Sequence, residues 1–162
     1  MDNATRFLLL AAMAAAMTAC QRSGSVSTPD GKVTYQEKGK DSGSLTVTGK
    51  DGQKATLDFG GAGKVPDDYP KDVPVYKNAK VMMSTSVAEK NGRSLVLESS
   101  DDTAKIAAFY KKELESGGWK IESTVAAGEM NMVTATKDNR QAMIQIIGGE
   151  DKRSINQVLS DK

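Results

Sequence analysis

Reactive side chains are scarce in this chain, and the scarcity narrows its chemistry. Cys20 is the only cysteine, and histidine is absent. Without imidazole the chain lacks the commonest general base and the commonest metal ligand. Two acidic pairs, Asp67-Asp68 and Asp101-Asp102, have the residue types of a general acid and base. Asp101-Asp102 precedes a helical pattern, where a carboxylate caps free amides and meets the positive end of the helix dipole. Asp67-Asp68 lies among prolines, where the burial that raises a carboxyl pKa is not expected. No catalytic residue is assigned, and the chain reads as a non-enzyme. Methionine is the remaining candidate, at Met82, Met83, Met130, Met132 and Met143 beyond the N-terminal segment. Thioethers suit Cu(I). On strands, however, Met82 and Met83 point to opposite faces while Met130 and Met132 share one. A three-sulfur site needs a third methionine from a neighbouring strand, and gap filling under a helix is the commoner use of this residue. Neither a metal nor a cofactor is assigned a ligand set.

The thiol has a different chemistry. Cys20 ends an apolar run, Phe7-Leu8-Leu9-Leu10-Ala11-Ala12-Met13-Ala14-Ala15-Ala16-Met17, through Thr18-Ala19. The run has the length of a signal-peptide core and is too short to span a bilayer. Small residues before a lone cysteine resemble the lipobox of bacterial lipoproteins, with Met17 where that family usually has Leu. The resemblance implies removal of residues 1–19, a diacylglycerol on the Cys20 sulfur and an acyl chain such as palmitate on the new amine. Each buried methylene contributes about 0.8 kcal/mol, so two or more chains hold a protein to a membrane. The implied address is the cell envelope. Gln21, in place of an inner-membrane retaining Asp, points to the outer membrane facing the periplasm if the host has two membranes.

Removing residues 1–19 from the 162 leaves 143, enough for one ordinary domain. Charge is balanced, with 22 basic against 21 acidic residues, so nucleic acid gets no electrostatic support as a partner. The partners expected are the membrane, through the lipid, and an envelope protein.

Residues 21–30 are rich in Ser, Thr and Gly and read as a flexible tether. Residues 32–59 alternate apolar and polar: Val33 and Tyr35, Leu45 and Val47, then Ala55, Leu57 and Phe59. Gly39-Lys40-Asp41-Ser42-Gly43 and Gly49-Lys50-Asp51-Gly52 supply turns between them. Gly60-Gly61-Ala62-Gly63-Lys64 reads as a loop, without the Gly-Lys-Ser/Thr ending of a phosphate cradle. Pro66, Pro70 and Pro74 bar a helix and favour an extended arm, with Tyr69, Val73, Val75 and Tyr76 as its apolar side. Residues 80–88 place Val81, Met83, Thr85 and Val87 on one strand face, and Asn91-Gly92 signals a hairpin. A helix is expected from Asp101 or Asp102 to about Ser116, with Ile106, Phe109, Tyr110 and Leu114 inward and Gly117-Gly118 ending it. Strands follow near 119–125, 130–136 and 141–147, with a short one at 154–159.

One stretch carries a second resemblance. Tyr69-Pro70-Lys71-Asp72-Val73-Pro74-Val75-Tyr76, continued by Asn78-Ala79-Lys80-Val81, is similar to a segment of uncharacterised bacterial lipoproteins. So is Ala108-Phe109-Tyr110-Lys111-Lys112-Glu113-Leu114-Glu115-Ser116-Gly117-Gly118-Trp119. This likeness implies a periplasm-facing α+β domain and brings no established activity. The expected architecture is α+β: an antiparallel sheet with one helix across a face, in β-β-α-β-β-β order, preceded by a small β meander. The expected divisions are a signal peptide at 1–19, the lipidated cysteine and tether at 20–31, the meander at 32–64, and the α+β domain with its arm at 65–162. Two functional classes stay open. One is a non-enzymatic, lipid-anchored interaction module acting through a sheet face or edge; the other binds a small ligand in a pocket between helix and sheet.

Overall fold

The computed structural model describes residues 23–88 and 92–162, with the backbone alone at 61–63. Cys20, the leader at 1–19 and Asn91 of the expected hairpin turn lie outside the described residues. Alternation of apolar and polar residues produces strands wherever turn chemistry interrupts it. They are β1 (Ser23–Thr28), β2 (Gly31–Gly39), β3 (Ser42–Gly49), β4 (Lys54–Gly63), β5 (Lys80–Val87) and β6 (Gly92–Ser99). After the helix α1 (Thr103–Ser116) come β7 (Lys120–Ala127), β8 (Met130–Lys137), β9 (Arg140–Ile147) and β10 (Arg153–Asp161). All ten join one antiparallel sheet, in the order β1-β2-β3-β4-β5-β6-β10-β9-β8-β7.

This corrects the α+β expectation. Among the described residues a single ten-stranded sheet dominates, carrying one short helix, and four strands follow that helix. The meander is not a separate unit, because β4 pairs with β5 from Ala55↔Val87 to Phe59↔Met83. Within the stretch read as a tether, Ser23–Thr28 form β1, which pairs with β2 from Ser23↔Gln36 to Thr28↔Gly31. Gly31 makes that reversal possible. At φ 150 a Cβ on this residue would stand 2.2 Å from the Thr48 carbonyl oxygen, so only glycine fits. Gly60-Gly63 is likewise not a loop but the end of β4, with a register irregularity between Phe59 and Gly63. Gly60 has φ 108 and a Cβ there would lie 2.2 Å from the Asp41 carbonyl oxygen, which lets β4 pass its neighbour.

The helix forms where capping and stripe agree. The Asp102 side chain accepts from the Ala104 amide at 2.7 Å, and Gly118 ends the last turn at φ 79. Ile106, Ala107, Tyr110 and Leu114 are buried, and they meet Val133, Ala135, Ala142, Ile144 and Ile146 of β8 and β9 within one core cluster. Phe109 stands edge-on to Tyr76, with ring centroids 4.9 Å apart. The arm closes the open end of this core by burying Tyr69, Val73 and Tyr76. Buried polar groups fix its course. The Tyr76 amide donates to Tyr110 Oη at 3.3 Å, Gln157 Nε2 to the Pro74 carbonyl at 2.7 Å, and Trp119 Nε1 to the Asp72 carbonyl at 2.9 Å.

Candidate functional site

The acidic pairs do structural work. Asp102 caps α1, while Asp101 accepts from Tyr76 Oη at 2.6 Å, Asn78 at 3.1 Å and Lys105 at 2.9 Å. Those hydrogen bonds, Tyr76 first, hold the Asp101 carboxyl down at about 2, opposite to what a general acid needs. Burial, with Asp101 accepting its proton, pushes the Tyr76 phenol up to about 12. Asp67 and Asp68 are exposed, and Asp68 lies 3.2 Å from Arg93 Nη2. Among the described residues no group of three His, Cys, Asp or Glu side chains could hold a metal ion.

Strand register sorts the methionines and much else. A bulge between Val81 and Met83 reverses the alternation of β5. Val81 therefore joins the buried face, while Met83, Thr85 and Val87 turn away from the helix, so the four expected to share a face do not. Met130 and Met132 lie on that helix-free face, and Met143 joins them from β9 through Thr134↔Met143. The third sulfur that a copper site requires is thus on a neighbouring strand. Met130 Sδ, however, accepts from Gln145 Nε2 at 3.7 Å, and the same residues sit among Val125, Ile147 and Val158 on the same face.

The two faces of the sheet differ sharply across β1–β5. Toward the helix side β1–β4 present Ser25, Ser27, Thr34, Gln36, Thr46 and Thr56, all polar. Away from the helix, one cross-strand row reads Val26, Val33, Val47, Ala55, Val87. The next reads Tyr35, Leu45, Leu57, Thr85, and a third Phe59, Met83, Val96. Every exposed large hydrophobic residue of the described chain, at 36–45% exposure, lies on this helix-free face: Val26, Tyr35, Met83, Val87, Val125, Met143, Ile147 and Val158.

A cavity of about 490 Å³ opens where β3–β5 meet the start of the arm. Phe59, Val65, Pro66, Val81, Met82 and Met83 supply its apolar wall. Lys38, Asp58, Lys64, Asp67 and Ser84 supply its polar side. Lys38 Nζ pairs with Asp58 Oδ1 at 2.6 Å. Two lysines and two aspartates cancel, so the lining favours no ion of one sign. Its volume falls in the range of roughly 300–1,000 Å³ typical of small-molecule sites. Between helix and sheet, where the second of the two open readings puts a pocket, Ile106, Tyr110 and Leu114 are each fully buried. Sequence reasoning misses this cavity because it is assembled across the β4–β5 pairing. The glycines at 60–63 are the available signal, since they mark where β4 bends beside the arm.

Residues 80–154 match a family model described as START domain-like. The match begins with β5 and ends two residues into β10, leaving β1–β4 and the arm outside it. A sheet-dominated domain gripping one helix fits that description. No curated protein and no solved structure matches the chain.

Proposed function

We propose that this chain is a lipid-anchored envelope protein that holds a small molecule with both apolar and polar parts in the arm cavity and performs no chemistry on it. The observation carrying this reading is the 490 Å³ cavity with its apolar wall and charge-balanced polar side. The START domain-like match over 80–154 supports a ligand-binding domain, and β5 of that segment forms one wall. Cancelling charges select a ligand whose polar end is neutral or zwitterionic rather than an acid or a cation. The depressed Asp101 carboxyl and the capping role of Asp102 support a non-catalytic reading.

The lipobox resemblance at Cys20 supplies the address. Cys20 stands three positions before Ser23, the first residue of β1, so an acylated sulfur holds that end of the sheet close to the bilayer. An outer-membrane site facing the periplasm follows from Gln21 if the host has two membranes.

The test is displacement of a fluorescent zwitterionic short-chain phospholipid from the purified full chain, compared with Met82→Trp, which fills the cavity. The wild type binds the probe with a Kd below about 10 µM, and the variant at least tenfold more weakly. Equal binding by both, or none by the wild type up to about 1 mM, refutes the assignment.

A further inference from the structure

We infer that the helix-free face of β1–β5 is a face-to-face interface between two copies of this chain. The helix-side face of β1–β4 is Ser- and Thr-rich and suits water, while Val26, Val33, Tyr35, Leu45, Val47, Ala55, Leu57 and Phe59 point the other way. An antiparallel sheet with one apolar face gains its stability by burying that face against a second layer. Among the described residues, the core cluster includes none from β1–β4, so it supplies these strands with no such layer.

Three observations favour a second copy as that layer. The first is area. Five strands at about 4.8 Å spacing and about 26 Å length present roughly 600 Å² in projection. Val96 and Val158 continue the face over β6 and β10, and seven strands reach roughly 850 Å², against about 800 Å² per partner in a standard stable interface. The second is charge. On this face of β1–β6 the charged residues are Glu37, Lys80 and Glu98, near strand ends, and Glu98 is already paired with Lys152 at 2.6 Å. Nothing charged lies in the rows between, so a twofold contact meets no like-charge repulsion. Lys80 alone, near a strand end, gives an anionic bilayer little hold on the face. The third is shape. Three parallel rows across five strands form a broad surface, which another sheet covers at about 10 Å with strands near 30°. Phe59 and Met83 belong to both the face and the cavity wall, but Val26, Val33 and Val47, on which the test turns, do not line the cavity.

Sedimentation velocity of the purified full chain tests this, alongside Val26→Lys, Val47→Lys and Thr34→Lys, the last on the polar face. Val26 is 45% exposed on the edge strand, so its substitution leaves the core intact. The wild type and Thr34→Lys sediment as dimers at micromolar concentration. Val26→Lys and Val47→Lys weaken the dimer at least about tenfold while keeping the wild-type circular dichroism spectrum. A wild type that stays monomeric at about 100 µM overturns the inference, whether a bilayer, another protein or residues 1–22 then cover the face. A dimer indifferent to both valine substitutions overturns it as well.

Discussion

Asp72 ties the arm to the far side of the sheet, and its removal has a size and pH dependence that follow from the geometry. Arg140 donates to both carboxylate oxygens, at 3.1 and 2.6 Å, and Lys137 Nζ adds a contact at 3.2 Å. Lys137 also donates to the Gly117 carbonyl at 2.8 Å, and the Arg140 guanidinium lies 5.0 Å from the Trp119 ring centroid. The Arg140 hydrogen bonds, helped by Lys137 and opposed by partial burial, lower the Asp72 carboxyl from 3.8 to about 2. Lowering this carboxyl from 3.8 to about 2 corresponds in full to about 2.5 kcal/mol. Asp72 keeps 31% of its side-chain exposure. Solvent screening therefore reduces the expected contribution to about 1–1.5 kcal/mol. The sign is that of a depressed carboxyl. The stabilisation is complete above the unfolded value of 3.8 and is lost as pH falls through about 2. Asp72→Asn keeps the main-chain carbonyl that accepts from Trp119, so the indole remains a valid reporter. In urea unfolding followed by Trp119 fluorescence, the variant is less stable by about 1–1.5 kcal/mol at pH 7. The gap narrows below pH 4 and is largely closed at pH 2. Asp101 titrates over the same range but is common to both proteins and cancels in the difference. A deficit below about 0.3 kcal/mol at pH 7, or one unchanged at pH 2, refutes the reasoning.

Asp102→Ala removes the cap on α1 and lowers stability by about 1 kcal/mol in denaturant unfolding, with Asp102→Ser restoring most of it. Ile144→Ala opens a cavity under the helix and costs about 3–4 kcal/mol, whereas Val33→Ala, half-buried on the helix-free face, costs under about 1 kcal/mol at concentrations where the chain is monomeric. Gly31→Ala drives a Cβ onto the Thr48 carbonyl and frees β1 from β2, read as faster amide hydrogen exchange in 23–28 with exchange in β8 and β9 unchanged.

Local chemistry is legible where local rules decide it. The capping aspartate, the 106–110–114 stripe and the terminal glycines place α1 nearly to the residue. Trp119, which directly follows those glycines, is buried. Phe109, expected inward, is half-buried, while Ala107 takes the inner position. What stays hidden depends on contacts between distant segments. The β4–β5 pairing spans the whole proline arm, and no local signal announces it. Polar Ser23–Thr28 reads as linker because an edge strand with a solvated face needs little apolar content. One inserted residue at Met82 is enough to exchange the faces of Val81 and Met83, which alternation alone cannot reveal. The cavity sits where these features meet, near the end of β4, the bulge of β5 and the first residues of the arm.

Native mass spectrometry of the chain extracted from its own membranes reads anchor and ligand together. The expected mass lacks residues 1–19, is increased by a diacylglyceryl group and an amine-linked acyl chain at Cys20, and carries one noncovalent small molecule that Met82→Trp loses. An intact leader or a bare Cys20 thiol, with no retained small molecule, contradicts it.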